Sequence, residues 1–162
     1  MKKNLSKMSG FSLLELLVAI FLATIISIGT TQTLVVAIDI TERNRQMIEA
    51  LNFAEEGIEA LRAMRNAGWS ANIQSLANGT AYYPVVSGSN WLMANIDPGL
   101  ALGRYERIIR LAEVFRDAND NISVSGTSDP NTRRVTMTVG WRERSATTTV
   151  VLETYLTNFL QN

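Results

Sequence analysis

The chain contains no cysteine and no histidine. The first absence excludes a disulfide framework and thiolate chemistry. The second removes the commonest general base and the commonest transition-metal ligand. Lysine is almost missing: Lys2, Lys3 and Lys7 are the whole complement, and all precede the first long apolar stretch. Beyond them, twelve arginines stand against fifteen acids, a net charge of −3. The body of the chain therefore has no basic excess with which to hold nucleic acid. Only three prolines occur, and none precedes Pro84, so no proline interrupts a helix in the first half. Phosphate loops, zinc spacings and Ser–His or Cys–His pairs are all missing. Carboxylate pairs such as Glu55-Glu56 are neighbours on a helix surface. The sequence gives no enzyme signature and calls for no cofactor.

What is present begins with a basic leader, Met1 to Gly10, followed by an apolar run. From Leu16 to Ile38 there are 23 residues without a charge. At 1.5 Å per residue, that is a helix of about 35 Å, enough to cross a bilayer core. Lysines precede the run and Asp39 and Glu42 follow it. The positive-inside rule then keeps the leader in the cytoplasm and puts the bulk of the chain outside. Thr30-Thr31-Gln32-Thr33 weakens the apolar character of the second half, as suits a segment that leaves lipid to pack on other helices. One acid, Glu15, sits at the start of the run, where an unpaired carboxylate is costly and usually functional. A side chain so near the end of a span can also snorkel to the interface. A secretory signal peptide is a rival reading, with Val35-Val36-Ala37 offering a cleavage site. The run is longer than the usual h-region of about 7–15 residues.

The stretch Met8-Ser9-Gly10-Phe11-Ser12-Leu13-Leu14-Glu15-Leu16-Leu17-Val18-Ala19 closely resembles the prepilin cleavage and methylation motif of type IV pilins and pseudopilins. The resemblance implies a cut by prepilin peptidase between Gly10 and Phe11, followed by N-methylation of Phe11. It implies that Glu15 of one subunit pairs with the Phe11 ammonium of a neighbour in a filament. An α-amine is largely cationic at neutral pH. Such a pair, held among apolar helices, acts mainly as a register device. The implied partners are other pilin or pseudopilin subunits, prepilin peptidase, the membrane (as a single span before assembly) and the filament assembly machinery.

Residues 39 to 66 continue the helix. Met47, Leu51, Ala54, Ile58 and Leu61 recur at helical spacing and form one apolar stripe. The stripe reads as the docking face on the chain's own sheet, or as a coiled-coil seam with another subunit. One helix from about Ser12 to Asn66 is expected, stopped at Gly68, with Arg62 and Arg65 suiting its final turns. The expected segments are thus a leader 1–10, an apolar helix half 11–38, a stem half 39–68 and a head 69–162.

In the head, residues 69 to 103 read as loop with short extended pieces. Ala81–Val86 and Trp91–Met93 flank the turn cluster Ser87-Gly88-Ser89-Asn90. Alternating patterns then mark strands at Arg104–Arg116, Arg133–Trp141 and Thr147–Asn158, joined by a loop Asp117–Pro130 and a tight connection Glu143-Arg144-Ser145. Such short links favour an antiparallel meander whose greasy face the stem helix covers. The expected class is α+β, a long amino-terminal helix on an antiparallel sheet, the layout of the pilin fold.

Scattered pieces also resemble PilV-type minor pilins and the type II secretion minor pseudopilin I group. They are Glu55–Arg62 with Gly68-Trp69, Tyr105–Ile109, Val114–Asp117, and Val139-Gly140-Trp141 with Tyr155–Asn158. This resemblance implies a minor structural subunit rather than the bulk one.

Three further patterns each carry two readings. Asp117-Ala118-Asn119-Asp120-Asn121 offers alternating oxygens, but Ile122 and Ser128 stand where a calcium loop needs Gly and Glu. A polar turn is the simpler reading, and no metal site is assigned. Trp69, Trp91, Trp141, Tyr82, Tyr83, Tyr105 and Tyr155 form either core packing or an aromatic binding surface. The second option belongs to the alternative function, a monomeric single-pass protein with a ligand-binding outer domain. Arg107, Arg110, Arg133, Arg134, Arg142 and Arg144 form a basic stripe only if their strands bring them onto one face.

Overall fold

The computed structural model describes residues 12–143 and 145–161. It has one long helix, α1 (Leu13–Ala67), and a short π-helical turn at Ser70–Gln74. Six strands follow: β1 (Tyr83–Ser87), β2 (Asn90–Ala94), β3 (Tyr105–Arg116), β4 (Ile122–Ser123), β5 (Thr127–Glu143) and β6 (Ala146–Thr157). The chain divides into two compact units between Arg45 and Gln46.

The first unit is helical from Leu13 on. Its large apolar side chains, Leu13 through Ile40, are exposed throughout. Among the described residues, α1 is the one helix long and apolar enough to cross a membrane. The threonines in it are internally satisfied. Thr24 donates to the Phe21 carbonyl (2.7 Å), Thr31 to Ser27 (2.8 Å) and Thr33 to Gly29 (2.9 Å). Thr30 donates to Ser27 (2.9 Å). Back-bonding of this kind gives a hydroxyl its partner without water. The threonines therefore reduce the apolar character less than their composition suggests.

The second unit is α+β. Its four-stranded sheet has the order β4-β3-β5-β6, all neighbours antiparallel, beside a β1-β2 hairpin. The inward face of the large sheet carries Tyr105, Ile109 and Leu111 from β3, with Val135, Met137, Val139 and Trp141 from β5. Val150 and Leu156 complete it from β6. The later part of α1 covers that face, with Ala50, Ala54, Ile58, Leu61 and Met64 in the same core cluster. The expected stripe docks through Ala54, Ile58 and Leu61, with Leu51 packed beside them, and departs from the expectation at its start. Met47 is 42 % exposed, whereas Ala50, Ala54 and Gly57 are buried. Close packing of a helix on a sheet selects small side chains at the line of contact and leaves long ones on the flank. At Gly57 a Cβ would sit 2.8 Å from Met137 Cε.

Polar tips fix the start of this segment. Tyr105 donates its hydroxyl to Glu49 Oε2 (2.7 Å), and Trp141 Nε1 donates to Gln46 Oε1 (3.1 Å). Burial, followed by the bond to Glu49, raises the Tyr105 pKa above the ordinary tyrosine value. The helix ends where Gly68, at φ 153°, donates to the carbonyls of Met64 (3.2 Å) and Arg65 (3.1 Å). That dihedral is open only to glycine at low cost.

The loop expected over Asp117–Pro130 is shorter than its composition implied. β4 lies within it, and β5 begins at Thr127, pairing Thr127 with Arg116 and Ser128 with Phe115. The β3–β5 register breaks between Glu113 and Phe115, and burial shifts phase there to Val114. Pro130 sits in that break, where no ladder bond is demanded of it. Asp129 ties the break together. It accepts from Arg116 Nε (2.7 Å), Thr132 Oγ1 (2.7 Å) and the Asn131 N–H (2.9 Å).

Candidate functional site

The helix start is built by Ser12 and Glu15. Ser12 Oγ accepts the backbone N–H of Glu15 (3.2 Å), and the Ser12 carbonyl accepts that of Leu16 (3.2 Å). Ser12 is thus an N-cap and Glu15 the third helical residue. Ser-x-x-Glu is the signature of a capping box, a signal that went unread in the sequence. It gives Glu15 a local role as well: an acid in the first turn opposes the positive end of the helix dipole. Gly10 and Phe11, the expected cleavage and methylation positions, lie outside the described residues. Past Glu15, the next acid on the helix is Asp39, whose carboxylate accepts from Arg43 Nε (3.1 Å). Between them Gly29, Thr33 and Ala37 recur every fourth residue and line a shallow apolar groove with Ile26, Thr30 and Leu34. Strips of this kind let helices approach closely in lipid.

Residues 5–31 match the family described as the prokaryotic N-terminal methylation motif. The chain carries a processing signal at its amino terminus. That motif indicates a type IV pilin-like substrate of prepilin peptidase. Together with the apolar helix it points to membrane anchoring and to assembly with other pilins. No curated protein and no solved structure matches the chain.

In the head, the candidates of the sequence separate. Trp69, Tyr82, Tyr105 and Trp141 are buried in the core cluster, and Trp91 packs against it. Tyr155 is the most open of the seven aromatics, at 44 %. They do not form one aromatic surface. The arginines are split by the sheet. Arg107 turns inward, donating to Glu56 Oε1 (2.8 Å) and the Pro84 carbonyl (3.2 Å) and lying over the Phe53 ring. Arg133, on the same side, donates to Asn78 Oδ1 and the Gln74 carbonyl. Arg110, Arg134 and Arg142 fall on the alternate positions, which turn to the opposite face. They are interleaved there with Glu106 and Glu153. Arg144 lies outside the described residues.

Asp117 closes a turn on itself. Its Oδ1 accepts the N–H groups of Asn119 (2.8 Å) and Asn121 (2.9 Å). These bonds, Asn121's first, hold its carboxyl below the usual carboxylate range. The oxygen pattern that suggested calcium is the pattern of an Asx turn.

Proposed function

We propose that the chain is a minor structural subunit of a type IV pilus or type II secretion-like filament, near the PilV-type and pseudopilin I groups. It is inserted in the bacterial cytoplasmic membrane with residues 39–162 outside. Prepilin peptidase removes residues 1–10 and methylates Phe11. The processed chain then joins a filament, at the cell surface or in the periplasm, through the helix half 11–38. Glu15 pairs with the Phe11 ammonium of a neighbouring subunit. The observation that carries this reading is the matched motif opening on a capped helix whose first acid precedes 23 uncharged residues. In water, sixteen or so exposed apolar side chains are not a stable surface; in lipid or a helix bundle they are.

The mass of the mature chain tests processing. It should lack Met1–Gly10 and carry one methyl group on Phe11; a full-length, unmodified product overturns the proposal. Three substitutions separate the two roles of Glu15. Ser12→Ala removes the cap, a loss of about 1 kcal/mol to the helix end, and should still assemble. Glu15→Val removes the polar side chain and its charge but keeps the backbone N–H that Ser12 caps. Glu15→Gln keeps a polar side chain and removes only the charge. Both Glu15 variants should insert in the membrane and fail to enter filaments. Normal assembly of Glu15→Gln would overturn the pairing of the Glu15 charge with Phe11.

A further inference from the structure

The four-stranded sheet has two unlike edges. On one side β3 is covered: Tyr82 and Ile109 exchange both backbone bonds (2.8 Å each), and Gly79 donates to the Leu111 carbonyl (2.8 Å). β4 pairs with the end of the same strand. On the other side β6 pairs with β5 alone. The phase of its backbone follows from the covered edge. Ile109 gives both groups to Tyr82, so its cross-strand partner Met137 turns its own toward Leu152 of β6. The β5–β6 register is unbroken from Thr132↔Thr157 to Glu143↔Ala146. Alternation then gives the even-numbered residues of β6 to β5 and points the N–H and C=O of Thr147, Thr149, Val151, Glu153 and Tyr155 outward. The bond from the Asn158 N–H to the Asn131 carbonyl (2.8 Å) keeps the same phase.

Exposed edges in soluble proteins are normally blunted by proline, lysine, a bulge or shortness. β6 has none of these over twelve residues, and Glu153 is its one charge. Val151, 56 % exposed, and Tyr155 stand beside the outward backbone groups. A row of alternating donors and acceptors is complemented by another backbone, not by a small molecule or a helix face. We propose that β6 receives an extended segment of a different filament subunit as an added strand, with an arginine or lysine of that segment opposite Glu153. This rests on the filament reading. A second copy paired antiparallel, β6 on β6 about a two-fold axis through the sheet, would set the two stem helices end for end. Chains carried by one membrane enter it in one sense.

The test places a benzophenone photocrosslinker at position 151, and a control at position 96, where the native Ile96 is also exposed. Both are expressed in cells that assemble the filament. The adduct at 151 should map by mass spectrometry to a strand of another prepilin-like chain, and the control should give no such adduct. Thr149→Pro and Glu153→Pro each delete an outward N–H and leave the β5 ladder whole. Each should lower the adduct by about tenfold, the worth of one backbone bond and its register, with the near-ultraviolet circular dichroism unchanged. The mass of the processed amino terminus is read in the same samples. A chain that is processed and incorporated but gives no adduct at 151, or gives one to a second copy, overturns the edge proposal alone. An adduct that survives both prolines also overturns it. An unprocessed chain overturns the filament reading instead.

Discussion

Replacing Gly57 with alanine probes how closely α1 lies on the sheet. The added Cβ would meet Met137 Cε at 2.8 Å and Sδ at 2.9 Å, with Ile109 Cδ1 at 3.4 Å. Carbon atoms pack best near 3.5–4.0 Å, so the Met137 terminus has to retreat by about 0.5–1 Å. Met137 is fully buried. Overpacking a core costs about 1–3 kcal/mol, and the flexible methionine side chain keeps this case to about 2 kcal/mol. Against it stands the gain of about 1 kcal/mol from exchanging glycine for alanine inside a helix. The net expectation is a loss of about 1 kcal/mol. Met137→Ala alone should cost about 2–5 kcal/mol through lost contacts and a cavity. In that background the clash is gone and the helix gain remains, so adding Gly57→Ala should stabilise the chain by up to about 1 kcal/mol. The coupling is then about 2 kcal/mol, well above the few tenths seen for independent sites. Urea unfolding of the full chain in detergent, followed by near-ultraviolet circular dichroism, measures all four corners of the cycle. Equal effects of Gly57→Ala in the two backgrounds would refute the close contact.

Acid stability should depend on Asp129. Burial works against its charge, but hydrogen bonds from Thr132, Arg116 and Asn131 outweigh burial and hold its pKa below the ordinary carboxylate value. A lowered folded pKa means that its contribution is complete above about pH 4 and is lost as the pH falls through the lowered value. Asp129→Asn should therefore cost about 1–2 kcal/mol at pH 7 and flatten the acid limb of a stability–pH curve; an unchanged limb would count against the strut. Gly126→Ala should cost more than about 2 kcal/mol in a thermal melt, because φ is 141° and a Cβ there would meet the Arg116 carbonyl oxygen at 2.1 Å. Tyr105→Phe should cost about 1 kcal/mol by losing its bond to Glu49. It should also remove the tyrosine that ionises above the ordinary range in a spectrophotometric titration.

The long helix and its stop were legible because they rest on local signals: an uncharged run, an absence of proline, and Gly68 just past the last turn. The three long strands were legible for the same reason. Val135, Met137, Val139 and Trp141 alternate with polar residues, and all four are buried. What escaped lies where contact rather than pattern decides. The periodic count found Ala54, Ile58 and Leu61, but the docking face also passes through Ala50 and Gly57, residues with too little hydrophobicity to register in it. They are buried because they are small. The β3–β5 break was hidden by its composition. Gly126, Asp129 and Pro130 read as loop residues, but the pairs at Thr127 and Ser128 sit between them and β5 runs through Asp129 and Pro130. The basic stripe failed through parity: Arg107 and Arg133 hold odd positions facing α1, whereas Arg110, Arg134 and Arg142 hold even ones. A count of arginines carries no information about faces until the register is known.

The amino-terminal site shows the opposite limit. Its residue types are readable one by one, yet as a charge Glu15 points only to a distant partner or to the interface, not to the turn it sits in. Ser12 Oγ and the Glu15 N–H are 3.2 Å apart, so the same four residues that mark a processing signal also start a helix. The two roles reinforce each other. A fixed first turn holds the Glu15 side chain at a defined height on the helix, and a carboxylate at a defined height can set a register between helices. A frayed first turn would let that charge wander over several ångströms, and the register with it. Ser12→Ala is therefore expected to leave assembly possible but to slow it, whereas loss of the charge removes the partner altogether.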